Sequence, residues 1–154
     1  RIEMAGEIIT AAINQGVVLH LPVDTLVSQQ FSNESSVEIV DIQQIPEGWI
    51  GLDIGPQTIK HYTEVVRGSQ TIIWNGPMGV FEMSNFKNGS RAMAHAIAHA
   101  TTKGAFSLIG GGDTVAALNE FGLTDQVSYV STGGGALLEY MEGKTLPGVA
   151  AILN

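Results

Sequence analysis

Short apolar segments alternate with helical segments over most of the chain, and this order limits the possible folds more than any other sequence feature. The apolar segments have the length of buried strands, while the helical segments carry apolar residues at three- and four-residue spacing. Strands that are connected through helices form a mainly parallel sheet with helices on both faces. We therefore predict an α/β fold, a three-layer sandwich of the Rossmann-like type. The predicted helices are residues 1–15, 56–67, 90–102, 114–121 and 136–141, and the predicted strands are residues 17–21, 37–42, 49–54, 71–74, 105–109 and 127–130.

The composition excludes several classes of protein. Hydrophobic residues make up 44% and charged residues 14% of the 154 residues, so the chain can build a core and is not disordered. The 7 basic and 15 acidic residues oppose non-specific nucleic-acid binding, because few cations are present to replace the counterions of a phosphate backbone. The absence of cysteine excludes disulfide scaffolds and fits a cytoplasmic setting. No apolar run is long enough to span a bilayer, so we expect no membrane partner.

Glycine-rich turns follow three of the predicted strands, at residues 74–82, 109–114 and 131–136. Ligands of open parallel sheets bind outside the carboxyl ends of the strands, so these turns are the candidate binding segments. In the first turn, Gly76 and Gly79 allow a ligand to approach the backbone closely. The alternative is a purely structural turn, a tight connection with a core phenylalanine. From the residues of this turn alone, the structural interpretation is favoured.

The second turn places Asp113 and Thr114 after three glycines, where a helix begins. Backbone N–H groups at a helix N-terminus attract phosphate, but the Asp113 carboxylate would repel it unless a cation lies between them. Mg²⁺ fits this position, since it binds one or two carboxylates together with phosphate oxygens. The alternative is that Asp113 and Thr114 are helix N-caps, and both interpretations remain open.

The third turn repeats the arrangement of strand, hydroxyl residues, three glycines and helix, which predicts an anion site or a flexible turn. No lysine or arginine lies in any of the three turns, although phosphoryl transfer uses cations to neutralise developing charge. The phosphate-binding pattern G-x-x-x-x-G-K-[ST] and the dinucleotide pattern G-x-G-x-x-G are both absent.

Four histidines and two aspartates complete the candidates. His95 and His99 are one helical turn apart, a spacing that can bind metal, but the lack of a nearby third ligand favours a solvated helix face. His20 and His61 are isolated in the sequence and have no predicted role. Asp24 and Asp53 are predicted to be structural turn residues, and the polar segment 28–36 is predicted to be a surface loop.

At these turns the sequence resembles the phosphoglycerate kinase family. The segments that carry the resemblance are LPVD at residues 21–24, PEGWIGLDIGP at 46–56, WNGPMGVFE at 74–82, GGGDT at 110–114, STGGGA at 131–136 and MEGKTLPGV at 141–149. They follow the family's order from end to end. The resemblance implies that residues 1–154 are an incomplete C-terminal, nucleotide-binding domain, without the N-terminal substrate domain and without the lysine-bearing segment that begins the C-terminal domain.

The resemblance also implies an activity and roles for individual residues. The family reversibly transfers a phosphoryl group between 1,3-bisphosphoglycerate and ADP, with Mg²⁺, in glycolysis. The implied roles group the residues by the part of the nucleotide that they contact: Gly51, Leu52, Asn75, Gly76, Met78 and Phe81 at the adenine, Glu82 at the ribose hydroxyls, Gly111, Gly112 and Thr114 at the phosphates, Asp113 at the metal, and Gly133, Gly134 and Gly135 at the transferring phosphoryl group.

Three hypotheses follow for the chain itself. The first is a kinase fragment that binds Mg-ADP or Mg-ATP but is inactive alone, because the acid substrate, 1,3-bisphosphoglycerate or 3-phosphoglycerate, binds to the missing domain. The second is a non-catalytic nucleotide-binding module, and the third is a packing fragment without a ligand. The family's full-length enzyme is expected to be a monomer.

Overall fold

Two three-stranded sheets organise the chain in the computed structural model, which describes residues 2–131 and 133–153. Arg1, in the first predicted helix, and Thr132, in the third glycine-rich turn, lie outside the described residues. The helices are α1 (Ile2–Asn14), α2 (Pro56–Arg67), α3 (Asn88–Thr102), α4 (Gly112–Glu120), α5 (Gly134–Met141) and α6 (Pro147–Leu153), with a short 3-10 helix at Thr124–Gln126. The strands are β1 (Asp24–Ser28), β2 (Glu38–Asp41), β3 (Ile50–Ile54), β4 (Thr71–Asn75), β5 (Phe106–Gly110) and β6 (Tyr129–Ser131).

The parallel sheet has the order β4-β5-β6 and confirms the predicted α/β fold. Its strands are connected through α3 and α4, which is the arrangement that the alternating sequence predicts. Apolar side chains of β4 and β5 pack against these helices, and Ile109 and Leu118 are fully buried. The fold therefore places the carboxyl ends of three strands, and the turns that follow them, along one edge of the sheet.

The second sheet is antiparallel and has the order β2-β1-β3. Residues 37–42 and 49–54 contain strands as predicted, but these strands do not belong to the parallel sheet. The physical reason is the connection: only turns and loops separate β1, β2 and β3 in the chain, whereas parallel neighbours need a long crossover, so β2 and β3 each pair antiparallel with β1.

The predicted strand at residues 17–21 is wrong. Residues 17–22 form no helix or strand, and the strand of this region is β1, which begins at Asp24. A strand needs neighbours for its backbone hydrogen bonds. β1 has β2 on one side and β3 on the other, whereas residues 17–21 pair with no strand among the described residues. The apolar pattern of the sequence did not predict β1, because this strand buries the polar side chains of Thr25 and Ser28.

The two ends of the chain also differ from the prediction. α1 has the predicted helical spacing, but none of its residues is buried. The tail, to which no element was assigned, forms α6. The predicted loop at 28–36 is a loop except for Ser28, which is the last residue of β1.

Candidate functional site

The last residues of the three parallel strands lie side by side. Asn75 of β4 is in register with Gly110 of β5, and Gly110 is in register with Ser131 of β6. Because the strands are parallel, the turn after each strand leaves the sheet at the same edge. The three glycine-rich turns of the sequence therefore start from adjacent positions.

Two contacts join these turns. The amide of Gly76 donates a hydrogen bond of 2.6 Å to Thr114 Oγ1, which links the first turn to the second. A β-carbon on Gly134 would lie 2.6 Å from both the Cα and the amide nitrogen of Gly111, so the third turn packs directly against the backbone of the second. Gly111 has a φ of 91°, a conformation that favours glycine. The structure thus brings Gly76, Gly111, Thr114 and Gly134 together.

The Asn75 side chain packs beside the second turn. A β-carbon on Gly111 would lie 3.2 Å from Asn75 Oδ1 and 3.3 Å from Thr114 Oγ1. Gly133 and Gly135, on either side of Gly134, are exposed, so their backbone is open to solvent next to this contact.

Asp113 lies in the first turn of α4 and is exposed. The N-cap of α4 is Gly111, and no side chain caps this helix. The alternative interpretation of Asp113 and Thr114 as N-caps is therefore wrong, because the helix begins at Gly112 and the Thr114 hydroxyl accepts the amide of Gly76 instead. This leaves the Asp113 carboxylate at the positive end of a helix with no capping role.

The Asp113 carboxylate fits Mg²⁺ only when a bound ligand supplies further oxygen atoms to the ion. Among the described residues, no group of three or more histidine, cysteine, aspartate or glutamate side chains could hold a metal ion. A single exposed carboxylate does not form an all-protein cage, but it matches an ion that takes its other ligands from phosphate oxygens and water.

A second part of the predicted site lies between β3 and the first turn. Gly51 and Leu52 of β3 line a cavity of about 310 Å³ together with Met78 and its neighbours in the turn. The amide of Val80 donates a hydrogen bond of 2.9 Å to the carbonyl of Leu52, which holds the turn against the strand. The first turn therefore contacts the second turn through Gly76 and β3 through Val80.

Phe81 and Glu82 end the first turn. The Phe81 side chain is only 7% exposed, and neither residue lines the cavity beside β3. Glu82 is exposed. In this structure the Phe81 ring belongs to the packed interior and Glu82 to the surface.

Two buried polar side chains lie directly against the first turn, and neither role was predicted from the sequence. Ser90 Oγ, at the start of α3, accepts the amides of Met78 at 2.9 Å and Gly79 at 3.3 Å. Asp53 accepts the amide of Gly89 at 2.8 Å and of Ile54 at 2.9 Å. A β-carbon on Gly79 would contact the Asp53 carboxylate, so this glycine is required where the turn crosses the aspartate. Ser90 is the third residue of a helix that follows a glycine-rich turn, and this position is the sequence signal from which its contact with the turn could have been predicted.

Burial raises the pKa of Asp53 to about 6, against hydrogen bonds from the backbone of Gly89, Ile54 and Asn88 that lower it. The carboxyl is 3% exposed, so its charged form is poorly solvated. We therefore expect Asp53 to change charge near pH 6, at the junction of β3, the first turn and α3.

The Asp53 pKa predicts an unusual pH dependence of stability. The folded chain binds the Asp53 proton more tightly than the unfolded chain, so the contribution of this group to the free energy of unfolding is full below pH 4 and is lost as the pH rises to about 6. The expected loss is about 3 kcal/mol. Urea unfolding between pH 4 and 8 should show that the Asp53→Asn variant lacks this decline. Parallel profiles for the two proteins would contradict the assignment.

The histidines and cations add little to this site. His95 and His99 are exposed on α3, as predicted for a solvated helix face. Lys87 pairs with Glu120 at 3.1 Å, and Lys144 pairs with Glu142 at 2.6 Å.

In the described part of the chain, no helix is long and apolar enough to cross a membrane.

Comparison with known proteins identifies the family. The sequence model described as "Phosphoglycerate kinase" matches residues 1–144. A phosphoglycerate kinase of Porphyromonas gingivalis is 54% identical over 152 residues, which cover 99% of this chain and 36% of that protein. A phosphoglycerate kinase of Thermosipho africanus is 50% identical over 155 residues, which cover 100% of this chain and 39% of that protein.

A solved structure agrees with the sequence matches. The structure of phosphoglycerate kinase from Coxiella burnetii superposes with a TM-score of 0.90 and 43% identity, over 96% of this chain and 38% of that chain. The chain therefore spans well under half the length of the relatives that it matches. Sequence and structure agree over nearly all of its own length, and the chain belongs to the phosphoglycerate kinase family.

Proposed function

We propose that this chain is the nucleotide-binding part of a phosphoglycerate kinase and binds Mg-ADP and Mg-ATP where the three glycine-rich turns meet. The proposed reaction is the reversible transfer of a phosphoryl group from 1,3-bisphosphoglycerate to ADP, which yields 3-phosphoglycerate and ATP and is a step of glycolysis. The observation that carries the proposal is the contact of Gly134 with the backbone of Gly111, beside the hydrogen bond from Gly76 to Thr114. Glycine backbone segments that converge in this way can donate several N–H groups to one polyphosphate.

Each turn has its own part in nucleotide binding. The amide of the exposed Gly112, at the N-terminus of α4, donates a hydrogen bond to phosphate. Gly111 and Thr114 fix the conformation of this turn. Asp113 would hold Mg²⁺, which neutralises the charge of the phosphates when it is bound. Gly133, Gly134 and Gly135 donate backbone N–H groups to the transferring phosphoryl group, at the start of α5.

The nucleoside would lie on the side of the first turn. Gly51, Leu52 and Met78 line an apolar cavity beside β3, which is suited to a flat base. Asn75 and Gly76 connect this cavity to the phosphate turns, and the buried Phe81 supports the turn from inside. The exposed Glu82 carboxylate can accept hydrogen bonds from ribose hydroxyls.

We propose that the chain alone does not catalyse the transfer. None of its 7 lysines and arginines lies in the glycine-rich turns, whereas phosphoryl transfer depends on cations that neutralise the transition state. The acid substrate would bind to the part of the relatives that this chain does not cover. For the whole enzyme we propose a cytoplasmic monomer.

Because no lysine or arginine lies in the glycine-rich turns, the second hypothesis, a non-catalytic nucleotide-binding module, stays open. One experiment distinguishes the kinase from the module: the remainder of a phosphoglycerate kinase is added to the chain in trans. Turnover of 1,3-bisphosphoglycerate that appears only in the mixture supports the kinase. Tight Mg-ADP binding without any turnover supports the module. ATP formation by the chain alone would contradict the proposed inactivity.

Replacement of Asp113 tests the metal-dependent part of the proposal. We expect Asp113→Asn to weaken Mg-ADP binding at least about tenfold, because the neutral amide cannot offset the metal's charge. Isothermal titration calorimetry measures the affinity. The matched control is Asp125→Asn, an exposed aspartate in the 3-10 helix, which should bind Mg-ADP like the parent chain.

The same titration separates metal binding from loss of fold. With ADP and EDTA, Asp113→Asn should bind ADP at least as tightly as the parent chain, because without a metal ion the carboxylate of the parent repels the phosphates. Equal affinities in the presence of Mg²⁺ would disprove the role of Asp113. Failure of Mg-ADP to raise the melting temperature of the parent chain would favour the third hypothesis, a fragment without a ligand.

A further inference from the structure

Two histidines that are 41 residues apart in the sequence meet at the surface. His20 Nδ1 and His61 Nε2 share a hydrogen bond of 2.8 Å, and the two ring centroids are 4.9 Å apart. His61 projects from α2, and His20 lies in the segment between α1 and β1. Both side chains are exposed, so ions in solution reach both rings.

The backbone around the pair is held in place. The Tyr62 hydroxyl donates a hydrogen bond of 2.6 Å to the carbonyl of His20, which ties the segment to α2 next to His61. His20 and Tyr62 also line an apolar cavity of about 220 Å³ whose wall includes Trp74. This anchoring reduces the loss of conformational entropy that two surface side chains incur when they bind one ion.

A metal ion can replace the proton that the two nitrogens share. With metal–nitrogen bonds of about 2.0 Å, ligands at 90° are about 2.8 Å apart, and ligands at the tetrahedral angle are about 3.3 Å apart. Either spacing is within about 0.5 Å of the hydrogen-bond distance, so small rotations of the two rings would admit the ion. Imidazole ligands in a tetragonal arrangement are typical of Cu²⁺ and Ni²⁺, and Cu²⁺ is the ion that such nitrogen sites bind most tightly.

We propose that His20 Nδ1 and His61 Nε2 chelate one divalent transition-metal ion, with Cu²⁺ and Ni²⁺ bound more tightly than Zn²⁺. Water molecules complete the coordination shell. The site differs in chemistry from the carboxylate at Asp113, since imidazole nitrogen does not attract Mg²⁺. The inference goes beyond the proposed function and does not depend on it.

The test must first remove the competing histidine pair. His95 and His99 are four residues apart on α3 and could hold a metal ion independently. The titrations therefore use the His95→Gln/His99→Gln double variant as the parent. Into this parent we introduce His61→Gln and, separately, His20→Gln, so that the conclusion does not rest on one variant. Far-UV circular dichroism establishes that each protein is folded before metal is added.

Titration with CuCl₂ at pH 7.5 should show one ion per chain bound to the double variant. Adding either His61→Gln or His20→Gln should weaken this binding at least about tenfold, equivalent to about 1.4 kcal/mol. NiCl₂ should bind more weakly than CuCl₂ and more tightly than ZnCl₂.

A spectroscopic readout locates the ion. Trp74 lines the same cavity as His20 and is 5% exposed, so bound Cu²⁺ should quench its fluorescence in a Trp49→Phe version of the double variant. The quenching should disappear with His61→Gln. The proposal is overturned if the double variant binds no Cu²⁺, or if binding and quenching persist unchanged after both His61→Gln and His20→Gln.

Discussion

Replacing Gly134 with alanine should weaken Mg-ADP binding at least about tenfold and leave most of the fold intact. The new methyl group would lie 2.6 Å from the Cα and amide nitrogen of Gly111, and neither backbone atom can rotate away. Gly111 already has a φ of 91°, so its turn has little freedom to adjust. The second and third turns must therefore separate, and their N–H groups would no longer converge on one polyphosphate. Isothermal titration calorimetry with Mg-ADP measures the loss.

Gly148→Ala is the matched control for this substitution. Gly148 lies in α6, outside the three glycine-rich turns, and a β-carbon there would have no heavy atom within 4 Å. Alanine also has a higher helix propensity than glycine, so we expect Gly148→Ala to keep the affinity for Mg-ADP and to lose no stability. Equal binding by the two variants would show that the contact between Gly134 and Gly111 does not shape the nucleotide site.

Replacing Asp24 with alanine should lower the free energy of unfolding by about 3 kcal/mol. Asp24 is 2% exposed and accepts three hydrogen bonds at the start of α2: the amide of Gln57 at 2.9 Å, the amide of Thr58 at 2.8 Å and the hydroxyl of Thr58 at 2.6 Å. The N-cap position, Gly55, supplies no side chain of its own. Alanine would leave buried donors without an acceptor, and urea unfolding at pH 7 measures the cost.

The control for Asp24 is Asp41→Ala. Asp41 is exposed and its side chain accepts the amide of Gln43 at 2.8 Å, so its removal should cost about 0.5 kcal/mol. Burial works to raise the pKa of Asp24, but the hydrogen bonds from Thr58 and Gln57 outweigh it and lower the pKa. The stabilisation is therefore present above the unfolded-state pKa of 3.8 and is lost as the pH falls through the lower folded-state value. A cost of Asp24→Ala that stays the same at pH 7 and at strongly acid pH would contradict this account.

Local patterns in the sequence predict the parallel half of the fold. β4, β5 and β6 and the helices between them appear close to their predicted positions, because each is a continuous segment with its own periodicity and its own glycine turn. The same reasoning fails for the antiparallel half. Thr25 and Ser28 are buried within β1 although they are polar, and the mainly apolar segment 17–21 pairs with no strand in the part of the chain that the structure describes.

The candidate site divides in the same way. The glycine-rich turns and Asp113 are visible in the sequence, because runs of glycine followed by a helix are unusual and carry a physical meaning. The contacts of the buried aspartates are not visible. Asp53, beside the first turn, binds the amide of Gly89, 36 residues away, and Asp24 binds the start of α2 from 34 residues away, so no local pattern reports either contact.

The sequence by itself therefore determined the order of elements, the parallel sheet and the three turns at its carboxyl edge, since these depend on side-chain periodicity and glycine position within short segments. Only the tertiary structure decided which turns touch, which strand pairs antiparallel, where the buried aspartates bind and that His20 meets His61. Those outcomes depend on the register of strands and on distances between segments, which are set when the whole core packs together.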